Sequence, residues 1–261
     1  MSSQTQFLPN SLSTLITNLS QNNCSTVSEI VAYVRDANVH YEDLLPWADF
    51  DHPAEDSYGR KLVSHGPNFE VMVMSWRPGD ISAIHDHGMT QWGAVQVFGP
   101  AEHASFSIQG NTIKTLSRTT VKSGTILGVS HSLIHQMGNT ASQSPFLSLH
   151  VYGMKTASKN ITGDARIFDV DKGQILRVDG GVFYHLPTHE IKRIEPGPVG
   201  DLPTQLRHLV DSYNRLKRMS QGKNSVSDQD LRIEKEKILS LTKSAAIPNS
   251  LKQQLSHLIE S

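Results

Sequence analysis

Two histidines one residue apart, His85 and His87 in the run Ile84-His85-Asp86-His87, are the part of this sequence best suited to chemistry. In an extended strand alternate side chains share a face, so the two imidazoles point together while Asp86 points the other way. A third ligand must come from another strand. His135 follows a strand-like run at 124–129, where an antiparallel neighbour could bring it alongside the pair. Neutral imidazole suits iron, zinc, copper and nickel. The chain has 13 histidines and one cysteine, Cys24, so a cysteine-ligated structural zinc is not expected and no internal disulfide can form. Taken alone, a His-x-His pair is also an ordinary polar pair on a half-buried strand.

Spacing separates these readings. The first motif of the cupin barrel runs from a glycine through His-x-His to a position usually held by glutamate and then a second glycine. Gly79, His85, His87, Trp92 and Gly99 fall on it in turn. The second motif is met in outline by Gly124, His135 and Asn139, with Ser130 and Ser132 where a proline and a glycine are usual. Trp92 cannot bind a metal, and Gln91 could reach one only if the strand slipped by a residue. The expected site is therefore three histidines without a carboxylate. Three neutral ligands leave a divalent ion its whole charge and several vacant positions, which favours an anionic chelating substrate that brings its own electrons.

Beyond the metal motif the sequence resembles the thiol dioxygenases, specifically the cysteine dioxygenase family within the cupins. Tyr58-Gly59-Arg60-Lys61-Leu62-Val63 looks like the family's Tyr-x-Arg-x-Leu-Val segment, and Ser75-Trp76-Arg77-Pro78-Gly79 like its Trp-x-x-Gly. Ser148-Leu149-His150-Val151-Tyr152 is similar to its Ser-x-His-x-Tyr triad, and Phe168-Asp169-Val170-Asp171-Lys172-Gly173 to the segment that follows. The resemblance covers roughly residues 28–175. It implies Fe(II) on His85, His87 and His135, and oxidation by O2 of a small thiol, L-cysteine first, to its sulfinic acid. It also implies that Arg60 holds the substrate carboxylate, with Tyr58 and Trp76 beside the substrate and Ser148, His150 and Tyr152 as the catalytic relay.

Elementary chemistry agrees with these assignments. Ser148, His150 and Tyr152 share one face of a strand by period two, so a serine–histidine–tyrosine relay is geometrically natural. The planar fork of an arginine binds carboxylate bidentately, and a buried Arg60 would need such an anion. Animal members link a cysteine near the Trp92 position to the tyrosine through a thioether. Gln91, Trp92 and Gly93 exclude that link here, as in bacterial members, and an inward Trp92 would reshape the pocket. Rival readings are 3-mercaptopropionate as the thiol, a metal-dependent isomerase or lyase, and a small-molecule-binding cupin without turnover.

The elements that must position these residues are legible from periodicity. Leu12, Leu15, Ile16 and Leu19 predict an amphipathic helix, and Thr26 with Glu29 predicts a capping box opening a second over Ile30–Val34. From Arg60 the period becomes two: Val71, Val73 and Ser75 alternate with Met72, Met74 and Trp76 until Pro78-Gly79-Asp80 turns the chain. Further short strands are predicted over 81–87, 91–98, 102–108, 111–116, 124–129, 145–153, Gln174–Val178 and Gly181–His185. Many short strands with frequent turns predict an all-β core, a cupin double-stranded β-helix (jelly roll) barrel.

After Pro196-Gly197-Pro198 helical spacing returns through Leu206, Leu209, Val210, Tyr213 and Leu216, then Leu231, Ile238 and Leu241, then Leu251, Leu255 and Leu258. The charged residues between them read as a solvated face. The division expected is 1–57 as an N-terminal helical segment packing on the barrel, 58–199 as the barrel, and 200–261 as a C-terminal helical extension.

A formal charge of −1 carries no basic field that would draw the chain to nucleic acid or an anionic bilayer. No apolar run approaches the ~20 residues that cross a membrane. The opening MSSQTQFLPNSLSTLITNLS lacks the basic start and apolar core of a secretory signal, so a cytoplasmic location is expected. Small-molecule thiol and O2 are the expected partners, with self-association possible through the C-terminal helices.

Overall fold

A computed structural model describes residues 8–22, 24–140, 142–221 and 226–244, together with 247, 249, 252 and 253. The chain opens with α1 (Asn10–Gln21) and α2 (Val27–Ala37), followed by the single turn α3 (Tyr41–Leu44). The capping box at α2 is present: Thr26 Oγ1 accepts from the Glu29 backbone at 3.2 Å, and the Glu29 carboxylate accepts from the Thr26 backbone at 2.9 Å.

Ten strands then build the barrel: β1 (Gly59–His65), β2 (Phe69–Trp76), β3 (Trp92–Val97), β4 (Ala101–Gln109), β5 (Thr112–Val121), β6 (Ile126–Ser130), β7 (Ile134–Gly138), β8 (Phe146–Gly153), β9 (Ala165–Asp169) and β10 (Gln174–Val178). β11 (Ile191–Pro196) and β12 (Val199–Gly200) complete the sheets, and α4 (Leu202–Ser220) and α5 (Asp228–Thr242) follow.

One sheet runs β1-β2-β8-β3-β6. Facing it are β12-β5-β4-β7 and β11-β10-β9, joined at His85, which bridges His135 on one side and Ile167 on the other. The result is the double-stranded β-helix of the cupins, as expected, with helices at both ends of the chain. The stretch 81–87, expected as a strand, is extended but touches its neighbours only through isolated bridges at Ile81 and His85. Between the bridges Ala83 donates across the seam to Val182, and Asp86 donates to Arg166 as part of the bridge at His85.

β2 and β8 are buried along their whole length because both faces are covered. Met72, Met74, Trp76 and Tyr152 fill the barrel, while Val71, Val73, Leu147, Leu149 and Val151 pack under Leu12, Leu15, Leu19, Ile30 and Val34 of α1 and α2. Period two thus sends apolar side chains to two different cores. The turn after β2 needs Gly79, whose φ of +83° would strain any residue with a Cβ.

Gly181–His185, expected as a strand, is a loop. His185 and Gly180 both have positive φ, and the backbone donors of Val182 and Tyr184 are spent on the Tyr58 hydroxyl and Ser57 Oγ rather than on a ladder.

The charged face of α4 departs from the solvated face expected of it. Arg215 is 1% exposed and Asp211 3%. Asp80, fully buried at the turn after β2, pairs with Arg215 and Arg218 of α4, each at 3.2 Å, and with His52 at 3.1 Å. Arg215 also donates to the carbonyls of Ala54 and Asp56, so α4 is tied to the chain both before and within the barrel. A carboxylate this deeply buried needs compensating charge, which the sequence pattern of a helix does not reveal. Leu206, Leu209, Val210 and Ile238 form a separate cluster where α4 and α5 meet. Leu251, Leu255 and Leu258 lie outside the described residues.

Candidate functional site

The extended segment at 81–87 delivers His85 and His87 to the barrel interior, and β7 delivers His135 beside them through its paired bridge with His85. The Nε2 atom of His135 lies 3.1 Å from that of His85 and 3.2 Å from that of His87. All three rings are buried, at 4–6% exposure. Burial holds each neutral: the His85 ring is pushed down to about 4, and His87 and His135 are held well below the usual imidazole range.

The proton inventory fits a metal. His85 Nδ1 lies 2.8 Å from the Ala83 carbonyl and so must carry the proton it donates, leaving the Nε2 lone pair free. His135 Nδ1 lies 3.0 Å from His103 Nε2, an arrangement that turns its own Nε2 lone pair inward when His135 is the donor. Neutral imidazoles converging at this distance are three acceptors around one point, which a divalent cation satisfies. Asp86 does not contribute: its carboxylate accepts from the backbones of Gly88 and Arg166 and pairs with the Arg166 guanidinium.

On β8, Ser148, His150 and Tyr152 face the barrel and form a continuous chain. Ser148 Oγ is 2.7 Å from His150 Nε2, and His150 Nδ1 is 2.8 Å from the Tyr152 hydroxyl. Trp76 Nε1 donates to Ser148 Oγ at 2.8 Å. An indole can only donate, so the serine accepts there. Ser148 is fully buried, and its own proton is satisfied by donation to His150 Nε2. His150 then donates from Nδ1 to Tyr152, and the phenol keeps its proton free to point elsewhere. Burial holds His150 and Tyr152 uncharged, pushing His150 down to about 3 and Tyr152 well above the usual phenol range.

A small cavity of about 30 Å³ collects these groups: Arg60, His85, His87 and Tyr152 line it, with Met72 and Met74 as an apolar wall. Arg60 enters from β1, where it pairs with Met74. Among the described residues its one hydrogen bond is a long donation of 3.4 Å to Thr162 Oγ1, and no carboxylate there lies within ion-pair distance of it. Tyr58 and Trp76 stand one layer back. They stack on each other at 4.7 Å, and the Tyr58 hydroxyl accepts from the backbone of Val182, itself a cavity residue.

Trp92 does not enter the cavity. It packs with the helix-covered face of the sheet, against Gly153. The inward position is Gly93, where an added Cβ would stand 2.8 Å from the Tyr152 ring. Gln91 is occupied at the surface, its side-chain oxygen accepting from the Lys155 backbone at 2.8 Å.

The family model for cysteine dioxygenase type I matches residues 1–157. The chain belongs to the cysteine dioxygenase type I family. It is accordingly a cupin-type thiol dioxygenase by family, and the match ends before Thr162, Gly180 and Val182, which also line the cavity.

Among solved structures, a double-stranded β-helix protein from Klebsiella pneumoniae is 21% identical, over 46% of this chain and 93% of that one, with a TM-score of 0.34. An RmlC-like cupin from Desulfovibrio desulfuricans is 17% identical, over 37% of this chain and 81% of that one, with a TM-score of 0.29.

His103 was missed by sequence reasoning. The alternation of β4 places it on the same face as Ser105, which pairs with His135. Only the pairing of β4 with β7, a long-range fact, reveals its contact.

Proposed function

We propose that this chain is an Fe(II)-dependent cysteine dioxygenase that converts L-cysteine to its sulfinic acid with O2. The observation that carries this reading is the company kept by Arg60: a guanidinium without a counter-anion among the described residues opens into the same small cavity as His85, His87 and Tyr152. Such a cation is matched by a substrate carboxylate, and the cavity admits only a compact molecule.

His85, His87 and His135 would hold the metal. When bound, ferrous iron would draw the thiol to its ionised form and orient it toward oxygen. Both oxygen atoms enter the product on sulfur, and the sulfur supplies the electrons, so no further reductant is needed. Arg60 receives the carboxylate through its fork. Tyr152 holds a proton at its hydroxyl, oriented by donation from His150, and presents it to the substrate carboxylate or the reacting oxygen. Met72, Met74 and Val182 keep water from the reacting groups.

In this proposal 58–199 is the catalytic barrel, 1–57 supports its outer face, and 200–261 is an extension able to mediate self-association, in a cytoplasmic protein. The test is oxygen uptake by iron-loaded protein on cysteine, 3-mercaptopropionate and cysteamine, with metal content measured in parallel. Cysteine turning over best supports the proposal. A preference for 3-mercaptopropionate reassigns the thiol, and no uptake with any thiol at full iron loading refutes it.

A further inference from the structure

A cavity larger than the one holding the histidines lies elsewhere in the described structure. A second space of about 420 Å³ lies where α4 and α5 cross the sheet of β9, β10 and β11. It backs onto the first: Ala83 and Ile167 line the second cavity while His85 and Ala165, each two residues away on the same segments, line the first. The loop at 180–186 is shared in the same way, with Gly180 and Val182 on one side and Phe183 to Leu186 on the other. Apart from Ala83, everything that lines the second cavity falls beyond residue 157, where the family match ends.

The lining has two characters. Leu176, Leu216 and Ile233 are among its apolar residues. The polar part carries Asp169, Asp171, Asp230 and Glu234 against Lys172, which pairs with Asp169 Oδ2 at 2.9 Å, and Lys237, which pairs with Asp171 and Glu234, an excess of two carboxylates. His208 on α4 belongs to this part. It is 8% exposed, its Nδ1 has no hydrogen-bond partner among the described residues, and its Nε2 stands 3.8 Å from Asp169 Oδ1, beyond hydrogen-bond reach. Burial holds the ring below the usual imidazole range, so it offers a lone pair as well as a proton. A buried ring nitrogen without a partner is costly to leave so, and beside a carboxylate and net negative charge the Nδ1 lone pair is suited to a donor cation.

We propose that this second cavity binds a small amphipathic primary ammonium, its head between Asp169 and His208 and its apolar chain along Leu176, Leu216 and Ile233. An ammonium has three protons, enough to donate to the carboxylate and to the imidazole at once and to leave one for a further acceptor. This site is distinct from the thiol cavity and does not depend on the reaction assigned there.

The experiment is calorimetric titration of the full chain with n-hexylammonium, n-hexanoate and n-hexanol. Hexylammonium should bind at least tenfold more tightly than either analogue. Asp169→Asn, which keeps the shape of the side chain, should weaken it about tenfold, and Leu216→Trp, which fills the apolar end, should abolish it. Equal binding of hexanol would reduce the site to a greasy groove and overturn ammonium recognition. Unchanged hexylammonium affinity in Asp169→Asn overturns the placement even if Leu216→Trp fails to fold.

Discussion

Replacing Arg60 by alanine isolates the group on which the substrate assignment turns. In the folded chain this guanidinium makes one long hydrogen bond, 3.4 Å to Thr162, and no ion pair among the described residues. Its removal therefore costs the protein little stability. Its loss to a bound carboxylate is different. A charge-assisted hydrogen bond is worth about 1.5–3 kcal/mol, which converts to a rise of roughly ten- to a hundredfold in the apparent KM for cysteine. Cysteamine, which lacks the carboxylate, should be almost indifferent. Arg60→Lys should fall between, since lysine keeps the charge but not the bidentate fork. Initial rates of oxygen uptake against thiol concentration measure all of this, with melting temperature as the check on folding. An equal loss on both thiols, or a large fall in melting temperature, would show that Arg60 supports the barrel rather than the substrate.

Three further outcomes are expected. Tyr152→Phe should retain metal while lowering kcat and kcat/KM together, and a double-mutant cycle with His150→Ala should be far less than additive; additive losses would sever the relay. His103→Phe should weaken cobalt or zinc binding about tenfold by releasing the His135 ring, with His103→Gln recovering part of it as an acceptor; an unchanged titration would leave His103 a bystander. The metal-free chain should lose stability as pH falls from 7 to about 5.5. His85 and His150, pushed down to about 4 and 3, stay neutral there while the unfolded chain takes up protons below ~6.5, so the unfolded state binds more and stability drops. Each group costs roughly 1 kcal/mol over that interval, and equal melting temperatures at the two pH values would contradict it.

The His85 and His87 pair and the alignment of Ser148, His150 and Tyr152 were legible because each depends on period two within one short segment, His135 because it falls on the second motif's spacing, and the barrel's outline because turn residues punctuate it. The phase of β3 was not. The motif spacing sets Trp92 where an inward glutamate is usual, whereas the strand presents Gly93 to the cavity. One residue is enough to exchange faces. His103 depends on which strand lies beside β7, and the buried charges of α4 depend on Asp80, more than a hundred residues earlier. Neither relation leaves a local trace. The loop at 181–185 has a strand-like composition, but the backbone donors of Val182 and Tyr184 go to side chains, and composition does not record where a backbone donor is spent.

The meeting of three stretches of chain at Asp80 bears on inheritance. A module can be gained or lost cleanly when its boundary crosses only solvent and apolar contact. Here the partner of Arg215 and Arg218 sits inside the family-matched segment, and the same arginine holds the carbonyls of Ala54 and Asp56. Deleting α4 in one step would strip its two arginines from a fully buried carboxylate, and grafting α4 onto a barrel lacking that carboxylate would bury unpaired arginine. The helix and the turn are thus coupled, so an acidic residue at the position of Asp80 should accompany this helix wherever the two occur.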